Sequence, residues 1–276
     1  MTERIRHPHF TAGKGIAVLL CLLAGWLHAT AQNADACPVK LRIASYNIHH
    51  GEGMDGKLDF VRIGSLLGKL NADVIAIQEI DSAATRTNGS YGLGEMADQT
   101  GYHPTYGPSI EFQGGKYGVG ILSRERPLKT WRIPLPGKSE ARTLLMAEFD
   151  KYVFACTHLS LDEDERLASV PLIEQEAASC AKPFIVAGDW NDNPSSRLLK
   201  AMEKSFTICN RPDSATFPSD KPKECIDFIA VYKGTHGKGC CNGEHGGRTA
   251  KVEESMVVDE RTASDHRPVF VSVTLP

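Results

Sequence analysis

Polar side chains of a narrow chemical kind stand at the ends of several apolar, strand-like runs. The residues at these positions are Asn47, Glu79, His158, Asp189, Asn191 and Asp227, with Asp265 and His266 directly before the last run. Each alone is compatible with turn chemistry, because Asn and Asp bond their own backbone in turns. Turns do not account for two histidines, nor for a glutamate after five mostly apolar residues. Taken together, these residues predict a functional site at one edge of a sheet.

The same residues supply what hydrolysis of a phosphate ester requires at neutral pH. A carboxylate can bind Mg²⁺ or a similar hard cation while positions stay open for substrate oxygens and water. Such a cation offsets the charge that develops on the phosphoryl group and the leaving oxygen. A second carboxylate can orient or deprotonate the attacking water, and His and Asn donors can stabilise charge at phosphorus. No Ser, Cys or Thr occupies a nucleophile motif such as G-x-S-x-G, so covalent acyl chemistry is not indicated.

At these residues the chain resembles the endonuclease/exonuclease/phosphatase superfamily. Its members include pancreatic-type DNases, abasic-site endonucleases, neutral sphingomyelinases and inositol-polyphosphate 5-phosphatases. The segments that carry the resemblance follow the family's order and are Ser45-Tyr46-Asn47-Ile48, Ile77-Gln78-Glu79, Gly120-Ile121-Leu122-Ser123, Thr157-His158-Leu159, Gly188-Asp189-Trp190-Asn191, Ile226-Asp227-Phe228 and Ser264-Asp265-His266-Arg267-Pro268. The combination of G-D-x-N with S-D-H and Q-E is highly specific for this superfamily.

The resemblance implies an α/β fold, a four-layered sandwich of two mixed or antiparallel sheets flanked by helices, with the site at one edge of the sheets. It implies that Glu79 is the principal metal ligand, with Asn47 beside it. Asp265 would complete the metal-side cluster. The implied cofactor is Mg²⁺ or Mn²⁺, with Ca²⁺ as an alternative.

The resemblance also implies a role for each remaining member of the set. Asp189 would position or activate the attacking water, and Asn191 would contact the phosphate. His158 and His266 would donate hydrogen bonds to the phosphoryl oxygens. Asp227 would orient His266 and favour its imidazolium form, because a neighbouring carboxylate raises the pKa of a histidine.

One position departs from the family's pattern. Some members carry an acidic residue two positions after the asparagine of the first motif, where this chain has His49, followed by His50. His49 could therefore meet the substrate or solvent instead of a metal, and the sequence leaves this open. Arg86 and Arg142, each expected in a loop beside a motif-bearing strand, are candidates for phosphate contacts or for solvated loop charges.

Short β-branched runs alternate with helical patterns, which is typical of sheets covered by helices. Strands are predicted at 40–48, 73–78, 118–123, 144–149, 152–157, 184–187, 228–231 and 268–274, and helices at 58–70, at 163–180 and after Asn193-Pro194-Ser195. Only Asp150 and Lys151 separate the fourth and fifth strands, so these two are predicted to form a hairpin. A hairpin within this pattern indicates mixed or antiparallel sheets.

The N-terminal segment has the three parts of a secretory signal. Basic residues precede an apolar run at 16–27, and Ala29-Thr30-Ala31 forms a small-residue cleavage site. As a helix, this run would rise only ~18 Å, short of a ~30 Å hydrocarbon core, which argues against a membrane anchor. We predict a signal peptide at 1–31, the catalytic domain at 32–276, and export to the periplasm or extracellular space. Lipoprotein anchoring through Cys21 or Cys37 is less favoured, since neither follows the apolar run directly.

The net charge of the chain bears on which class of substrate it binds. Removal of 1–31 would leave 28 Lys and Arg against 33 Asp and Glu. Proteins that bind nucleic acid through many phosphates are more often basic, so a nucleic-acid substrate is possible but not favoured. The favoured function is an exported metal-dependent phosphoesterase for a small or lipid-like mono- or diester. It would act as a monomer without a transmembrane segment. A secreted DNase-like nuclease is the alternative enzyme, and a non-catalytic binding module on the same fold is the alternative of another class.

Seven cysteines follow the predicted cleavage point, so at least one stays outside any intramolecular disulfide. Cys156 lies in an apolar strand pattern and is predicted to be a buried thiol. The predicted disulfide formers are the cysteines in polar, loop-like surroundings: Cys209, Cys225, Cys240 and Cys241. A zinc site formed by Cys240 and Cys241 with His236 and His245 is less favoured, because adjacent cysteines lack C-x-x-C spacing.

Overall fold

A computed structural model describes Met1 and residues 39–234 and 250–275 of the chain. Residues 2–31 of the predicted signal peptide, Cys37, and the disulfide or zinc site at Cys240 and Cys241 lie outside these ranges. No helix in the described ranges is long and apolar enough to span a membrane.

The described residues form twelve strands and four α-helices. The strands are β1 (Val39–Asn47), β2 (Val74–Ser82), β3 (His103–Phe112), β4 (Gly115–Ser123), β5 (Lys129–Leu135), β6 (Arg142–Glu148), β7 (Val153–His158), β8 (Phe184–Asp189), β9 (Phe206–Ile208), β10 (Asp227–Tyr232), β11 (Lys251–Val257) and β12 (Val269–Leu275). The helices are α1 (Phe60–Leu70), α2 (Gly92–Thr100), α3 (Glu163–Ser179) and α4 (Arg197–Ser205).

The strands form two six-stranded sheets of the same design. The first sheet has the order β11-β12-β1-β2-β4-β3, and the second has the order β5-β6-β7-β8-β10-β9. Each contains one parallel pair, β1 with β2 and β7 with β8, and its other neighbours are antiparallel. Parallel neighbours need a long crossover, and here the crossovers contain α1 and α3. The predicted hairpin is formed by β6 and β7. Both sheets are therefore mixed, as predicted.

Three apolar clusters hold the layers together. Helices α1 and α2 pack on the outer face of the first sheet around Ile63, Leu67 and Leu93. The two sheets face each other across a cluster that includes Phe154. Helices α3 and α4 cover the outer face of the second sheet around a cluster that includes Trp190. The order helices, sheet, sheet, helices confirms the predicted four-layered sandwich.

Two cysteine predictions are wrong in this part of the chain. Cys209 and Cys225 are free, buried thiols. Cys209 packs between the sheets, whereas Cys225 packs on the opposite face of the second sheet. Asn210, the residue after Cys209, is buried and bonds the backbone of β10 at Asp227 O and Ile229 N, so the exposed loop begins only at Arg211. The prediction for Cys156 is confirmed, since its thiol is fully buried.

The close packing at the end of strand β8 requires a glycine. A Cβ atom built on Gly188 would lie 1.9 Å from the carbonyl oxygen of Thr157 in β7. Real Cβ atoms do not approach backbone oxygen this closely, so any side chain here forces β7 and β8 apart. Gly188 directly precedes Asp189, so this close packing also fixes the position of that carboxylate.

We expect Gly188→Ala to destabilise the fold by about 3 kcal/mol or more, because the clash is with backbone that cannot move aside. The control is Gly68→Ala, an exposed site in α1 with nothing within 4 Å of the new Cβ. That change should stabilise the fold by about 1 kcal/mol through helix propensity. Denaturant unfolding measures both, and equal midpoints for Gly188→Ala and the wild type would contradict the expectation.

Candidate active site

Strand register brings three of the predicted residues into one row of the second sheet. Asp189 ends β8, where it is paired with His158 at the end of β7 and with Asp227 at the start of β10. All three are buried. Asn47 ends β1 of the first sheet, and its Nδ2 donates to Asp189 Oδ2 at 3.0 Å. This contact joins the two sheets at one edge, where the sequence placed the site.

Glu79 reaches the site through a β-bulge. The register of β2 against β4 shifts between Ile77 and Ile80, and Glu79 has a left-handed φ of 58°. A bulge redirects a side chain that would otherwise follow the alternation of the strand. Glu79 Oε1 accepts a hydrogen bond from Asn47 Nδ2 at 3.0 Å. One Asn47 amide therefore contacts both the predicted metal ligand and the predicted water-activating residue.

Backbone strain is concentrated around this edge. Among the described residues, eight residues other than glycine have a positive φ, and four of them are His49, His50, Glu79 and Asn191. Such conformations cost on the order of 1–3 kcal/mol each and persist where surrounding structure enforces them. The strain favours a functional role for this edge over a purely structural one.

An ion-paired chain of three side chains lies at the centre of the site. His266 Nδ1 lies 2.9 Å from Asp227 Oδ2, and His266 Nε2 lies 3.6 Å from Asp189 Oδ2. Asp227 Oδ2 also accepts a 2.5 Å hydrogen bond from Thr216 Oγ1. The ring of Phe217 packs against the His266 ring with centroids 4.9 Å apart. These contacts fix the orientation of the His266 imidazole.

The two histidines of the site differ in protonation. Burial by itself would lower the pKa of His266, but the carboxylates of Asp227 and Asp189 outweigh it and raise that pKa to about 10. Burial lowers the pKa of His158 well below its usual range, and the charges of Arg142 and His266 lower it further. His266 is therefore an imidazolium at neutral pH, and His158 is a neutral imidazole.

Asp189 has the environment of a base. Burial raises its pKa, and the neighbouring Asp227 charge raises it further. His158 Nε2 lies 3.6 Å from Asp189 Oδ2. The Asn191 backbone N–H donates to Asp189 Oδ1 at 2.9 Å, which fixes the second oxygen. A buried carboxylate of raised pKa is suited to accept a proton from water.

Glu79 and Asp265 are the two carboxylates predicted to bind the metal. Burial raises the pKa of Glu79, and the charge of Asp265 adds to the rise, although the hydrogen bond from Asn47 opposes it. Within the described ranges, no Lys or Arg forms an ion pair with either carboxylate. A divalent cation would supply the missing positive charge, and carboxylate and amide oxygens are the ligands that Mg²⁺ and Mn²⁺ prefer. The donors present therefore fit the predicted cofactor.

A second acidic cluster lies alongside. Asp189, Asp227 and His266 each offer one ligand atom, and these atoms lie within 4.8 Å of one another. The hydrogen bond between His266 Nδ1 and Asp227 also suits this cluster to proton chemistry.

The structure places Asn191 beside Asp189, with its side-chain Nδ2 donating to Leu159 O at 2.9 Å. This bond connects the ends of β7 and β8. The predicted contact between Asn191 and phosphate stays a prediction.

The two arginines have different positions. Arg86 lies in a 3-10 turn at Thr85–Thr87 and donates to the buried carboxylate of Asp81 at 2.7 and 2.9 Å. Its guanidinium also lies 4.5 Å from the ring centroid of Phe112. Arg86 is therefore held by structural contacts and is not a freely solvated loop charge.

Arg142 is the first residue of β6, so the expectation that it lies in a loop is wrong. Pairing with Leu135 of β5 extends the strand to this residue. Its side chain is buried and forms an ion pair with Glu140 at 2.8 Å. Its Nε is buried without a hydrogen-bond partner in the described part of the chain. Arg142 is close enough to His158 for its charge to lower the pKa of that histidine.

Sequence reasoning missed three residues that support the site. Thr216 bonds Asp227, Phe217 packs on His266, and Ser264 Oγ donates to the Asn47 carbonyl at 2.8 Å. Ser264 precedes Asp265-His266 and could have been found within that motif. Thr216 and Phe217 lie in a turn-rich stretch without periodicity, so no local pattern indicates them.

The family model described as "Endonuclease/Exonuclease/phosphatase family" matches residues 44–266. This range contains all eight predicted site residues and most of the chain. The chain belongs to the endonuclease/exonuclease/phosphatase family. Members of this family are in general hydrolytic phosphoesterases that depend on a divalent metal, and Asp189, Asp227 and His266 form a cluster that could hold such an ion. A comparison with curated proteins gives no significant match.

Solved structures share the endonuclease/exonuclease/phosphatase fold. A family protein from Beutenbergia cavernae superposes with a TM-score of 0.67 at 19% identity, covering 86% of this chain and 72% of its own. The mannosyl-6-phosphatase of Bacteroides thetaiotaomicron gives 0.65 at 16% identity, covering 85% and 100%. A humanized D. rerio TDP2 gives 0.63 at 18% identity, covering 85% and 99%. At these identities the likeness shows the fold, and the substrate is a separate question.

Proposed function

We propose that the chain is an exported, divalent-metal-dependent hydrolase that cleaves phosphate mono- or diesters by in-line attack of an activated water. The observation that carries the proposal is the Asn47 amide, which bonds both Glu79 and Asp189. It sets a proton-accepting carboxylate beside a metal-binding one at a fixed separation. A phosphoester bound between these two carboxylates would contact both the activated water and the charge-stabilising cation.

Each residue has a defined part in the proposed reaction. Asp189 orients the water and takes its proton, since burial has raised its pKa. His266 donates as an imidazolium and His158 as a neutral ring, so both stabilise charge on the phosphoryl oxygens. When bound at Glu79 and Asp265, the cation supplies Lewis-acid stabilisation of that charge. Asp227 keeps His266 protonated and oriented.

A small substrate is favoured over a lipid-like one. A membrane-lipid substrate would favour an exposed apolar hairpin, and the short apolar segment Ile133-Pro134-Leu135-Pro136 is a weak candidate for one. In the structure Leu135 is buried at the end of β5, so the segment does not present an exposed apolar hairpin. One structural neighbour is a mannosyl-6-phosphatase, which supports a sugar phosphate as a substrate class to test.

Hydrolysis of a short panel tests the proposal. The panel comprises mannose 6-phosphate, p-nitrophenyl phosphate, bis-p-nitrophenyl phosphate and plasmid DNA, each with Mg²⁺ or Mn²⁺. We expect turnover of small esters that exceeds nicking of DNA. Preferential nicking would favour the DNase-like alternative. Absence of turnover on every substrate by folded, metal-loaded protein would favour the binding module.

Metal removal should affect stability as well as turnover. We expect EDTA to abolish hydrolysis, and saturating Mn²⁺ to raise the unfolding free energy of the metal-free protein by about 2.7 kcal/mol at 100 times Kd. Glu79→Gln should lose most of this gain, because it removes the principal charged ligand. Thermal unfolding with and without Mn²⁺ measures both effects. An equal gain in Glu79→Gln would show that the cation binds elsewhere.

A further inference from the structure

The first turn of helix α3 bonds both loops that follow the strand ends of the site. Arg166 Nε donates to Asp192 Oδ2 at 3.1 Å, and Arg166 Nη1 donates to the Ser160 carbonyl oxygen at 3.0 Å. Ser160 lies two residues after His158, and Asp192 lies three residues after Asp189. One guanidinium therefore connects the β7–α3 loop to the β8–α4 loop, and its two bonds form a loop clamp.

The loop clamp is buried. The side chains of Arg166 and Asp192 are only 10% and 9% exposed. The planar fork of arginine bonds a carboxylate and a backbone carbonyl at once, which the single amino group of lysine cannot do in the same geometry. A buried ion pair adds little net stability compared with apolar residues of similar size. Its place between two loops of the site therefore indicates a positioning role.

The neighbouring Glu165 strengthens the attachment to α3. Its Oε2 accepts a hydrogen bond from Ser160 Oγ at 2.7 Å, and its Oε1 accepts one from the Lys138 backbone N–H at 3.0 Å. Lys138 lies between β5 and β6, and Glu165 is buried. Ser160 is thus bonded through its side chain to Glu165 and through its carbonyl to Arg166. The loop after β7 cannot move independently of the helix.

Strand pairing alone does not position Asn191. The ladder between β7 and β8 ends with the pair of His158 and Asp189. Asn191 lies beyond this ladder and has a left-handed φ of 52°. Such a conformation persists only where the surrounding structure enforces it. The backbone N–H of Asn191 donates to Asp189 Oδ1 at 2.9 Å, and the loop clamp holds the next residue, Asp192.

We propose that Arg166 and Asp192 are positioning residues for hydrolysis of the phosphate ester. The inference rests on the proposed function, in which Asp189 orients the attacking water. Arg166 and Asp192 act through Asn191, whose backbone N–H fixes one oxygen of Asp189. A misplacement of about 1 Å can lower a rate by about 10²-fold. Loss of the loop clamp should therefore lower kcat much more than it changes KM.

Paired substitutions separate the positioning role from stability. Arg166→Met leaves Asp192 as a buried charge without its ion-pair partner and should lower the denaturant midpoint strongly. Addition of Asp192→Leu removes both charges and should restore most of that midpoint. We nevertheless expect kcat of the double variant to stay about 10²-fold below the wild type, with KM little changed. Denaturant unfolding and steady-state kinetics measure the two effects.

Amide hydrogen exchange gives a measurement that needs no turnover. Exchange at 159–162 and 190–193 should be faster in the double variant, because these segments open more readily without the loop clamp. The matched control is Arg197→Met, which removes an exposed ion pair with Glu163 between α4 and α3. Exposed pairs contribute little, so its kcat and its exchange should equal those of the wild type.

If the double variant does not fold, Arg166→Lys replaces it. Lysine keeps the charge opposite Asp192 but cannot also bond Ser160, so kcat should fall about tenfold. Wild-type kcat in the folded double variant, or in Arg166→Lys where that replaces it, would overturn this inference and leave the proposed function intact. Unchanged exchange in both loops would overturn it as well. A wild type that hydrolyses no ester would instead refute the proposed function, and this inference with it.

Discussion

Replacement of Asp189 with asparagine is expected to lower kcat by about 10³-fold, in the middle of the range that general acid–base catalysis contributes. Asparagine keeps the size of the side chain and one acceptor oxygen, but it cannot take a proton from water. The substrate should still bind, because Glu79 and both histidines remain, so KM should change little. Steady-state kinetics with saturating Mn²⁺ separates the two parameters.

The control for this change is Asp213→Asn, which makes the same substitution in an exposed ion pair with Arg211. Exposed pairs contribute little to stability, so this variant should behave as the wild type. If Asp189→Asn kept more than about a tenth of the wild-type kcat, Asp189 would not be the base that activates water.

Asp227→Asn is expected to lower kcat by about 10²-fold at neutral pH. It should also move the alkaline limb of the pH–activity profile to lower pH. In the wild type, carboxylates hold the pKa of His266 at about 10, so its imidazolium persists across neutral pH. Without the Asp227 charge, burial dominates and that pKa falls. The imidazolium is then lost as pH rises through the lower value, and activity declines with it.

A profile of kcat/KM from about pH 6 to about pH 11 measures this shift. Thr216→Val is the graded control, because it removes the hydrogen bond to Asp227 Oδ2 but leaves the carboxylate charge. It should move the alkaline limb less than Asp227→Asn does. An alkaline limb in the same place in all three proteins would mean that His266 is not the titrating donor.

The strands in the middle of each sheet could be predicted from the sequence, whereas the edge strands could not. The difference follows from how deeply the two kinds of strand are buried. All eight predicted strands exist. The four that were missed, β3, β5, β9 and β11, are the outermost strands of the two sheets. An edge strand has one neighbour and a solvated side, so it lacks a continuous apolar run. In β11, the first four residues are exposed, and β3 contains Pro104 and Pro108, which edge strands tolerate.

The site could be predicted where its residues end apolar strands. Asn47, His158 and Asp189 stand there because strand pairing carries them to one edge. No local sequence pattern predicts the bulge that turns Glu79 inward. Glu79 could still be identified, because a glutamate is unexpected after an apolar strand. Thr216 acts through a contact with Asp227, eleven residues away across a loop, so only the folded chain identifies it.

The most direct test of the central claim is hydrolysis of p-nitrophenyl phosphate by the purified protein in H₂¹⁸O with Mn²⁺. In-line attack of water on phosphorus predicts one ¹⁸O in each phosphate released, detected by mass spectrometry. The release should stop with EDTA and be nearly absent in Asp189→Asn. Release that continues undiminished in EDTA, or phosphate that contains no ¹⁸O, would contradict metal-dependent hydrolysis by an activated water.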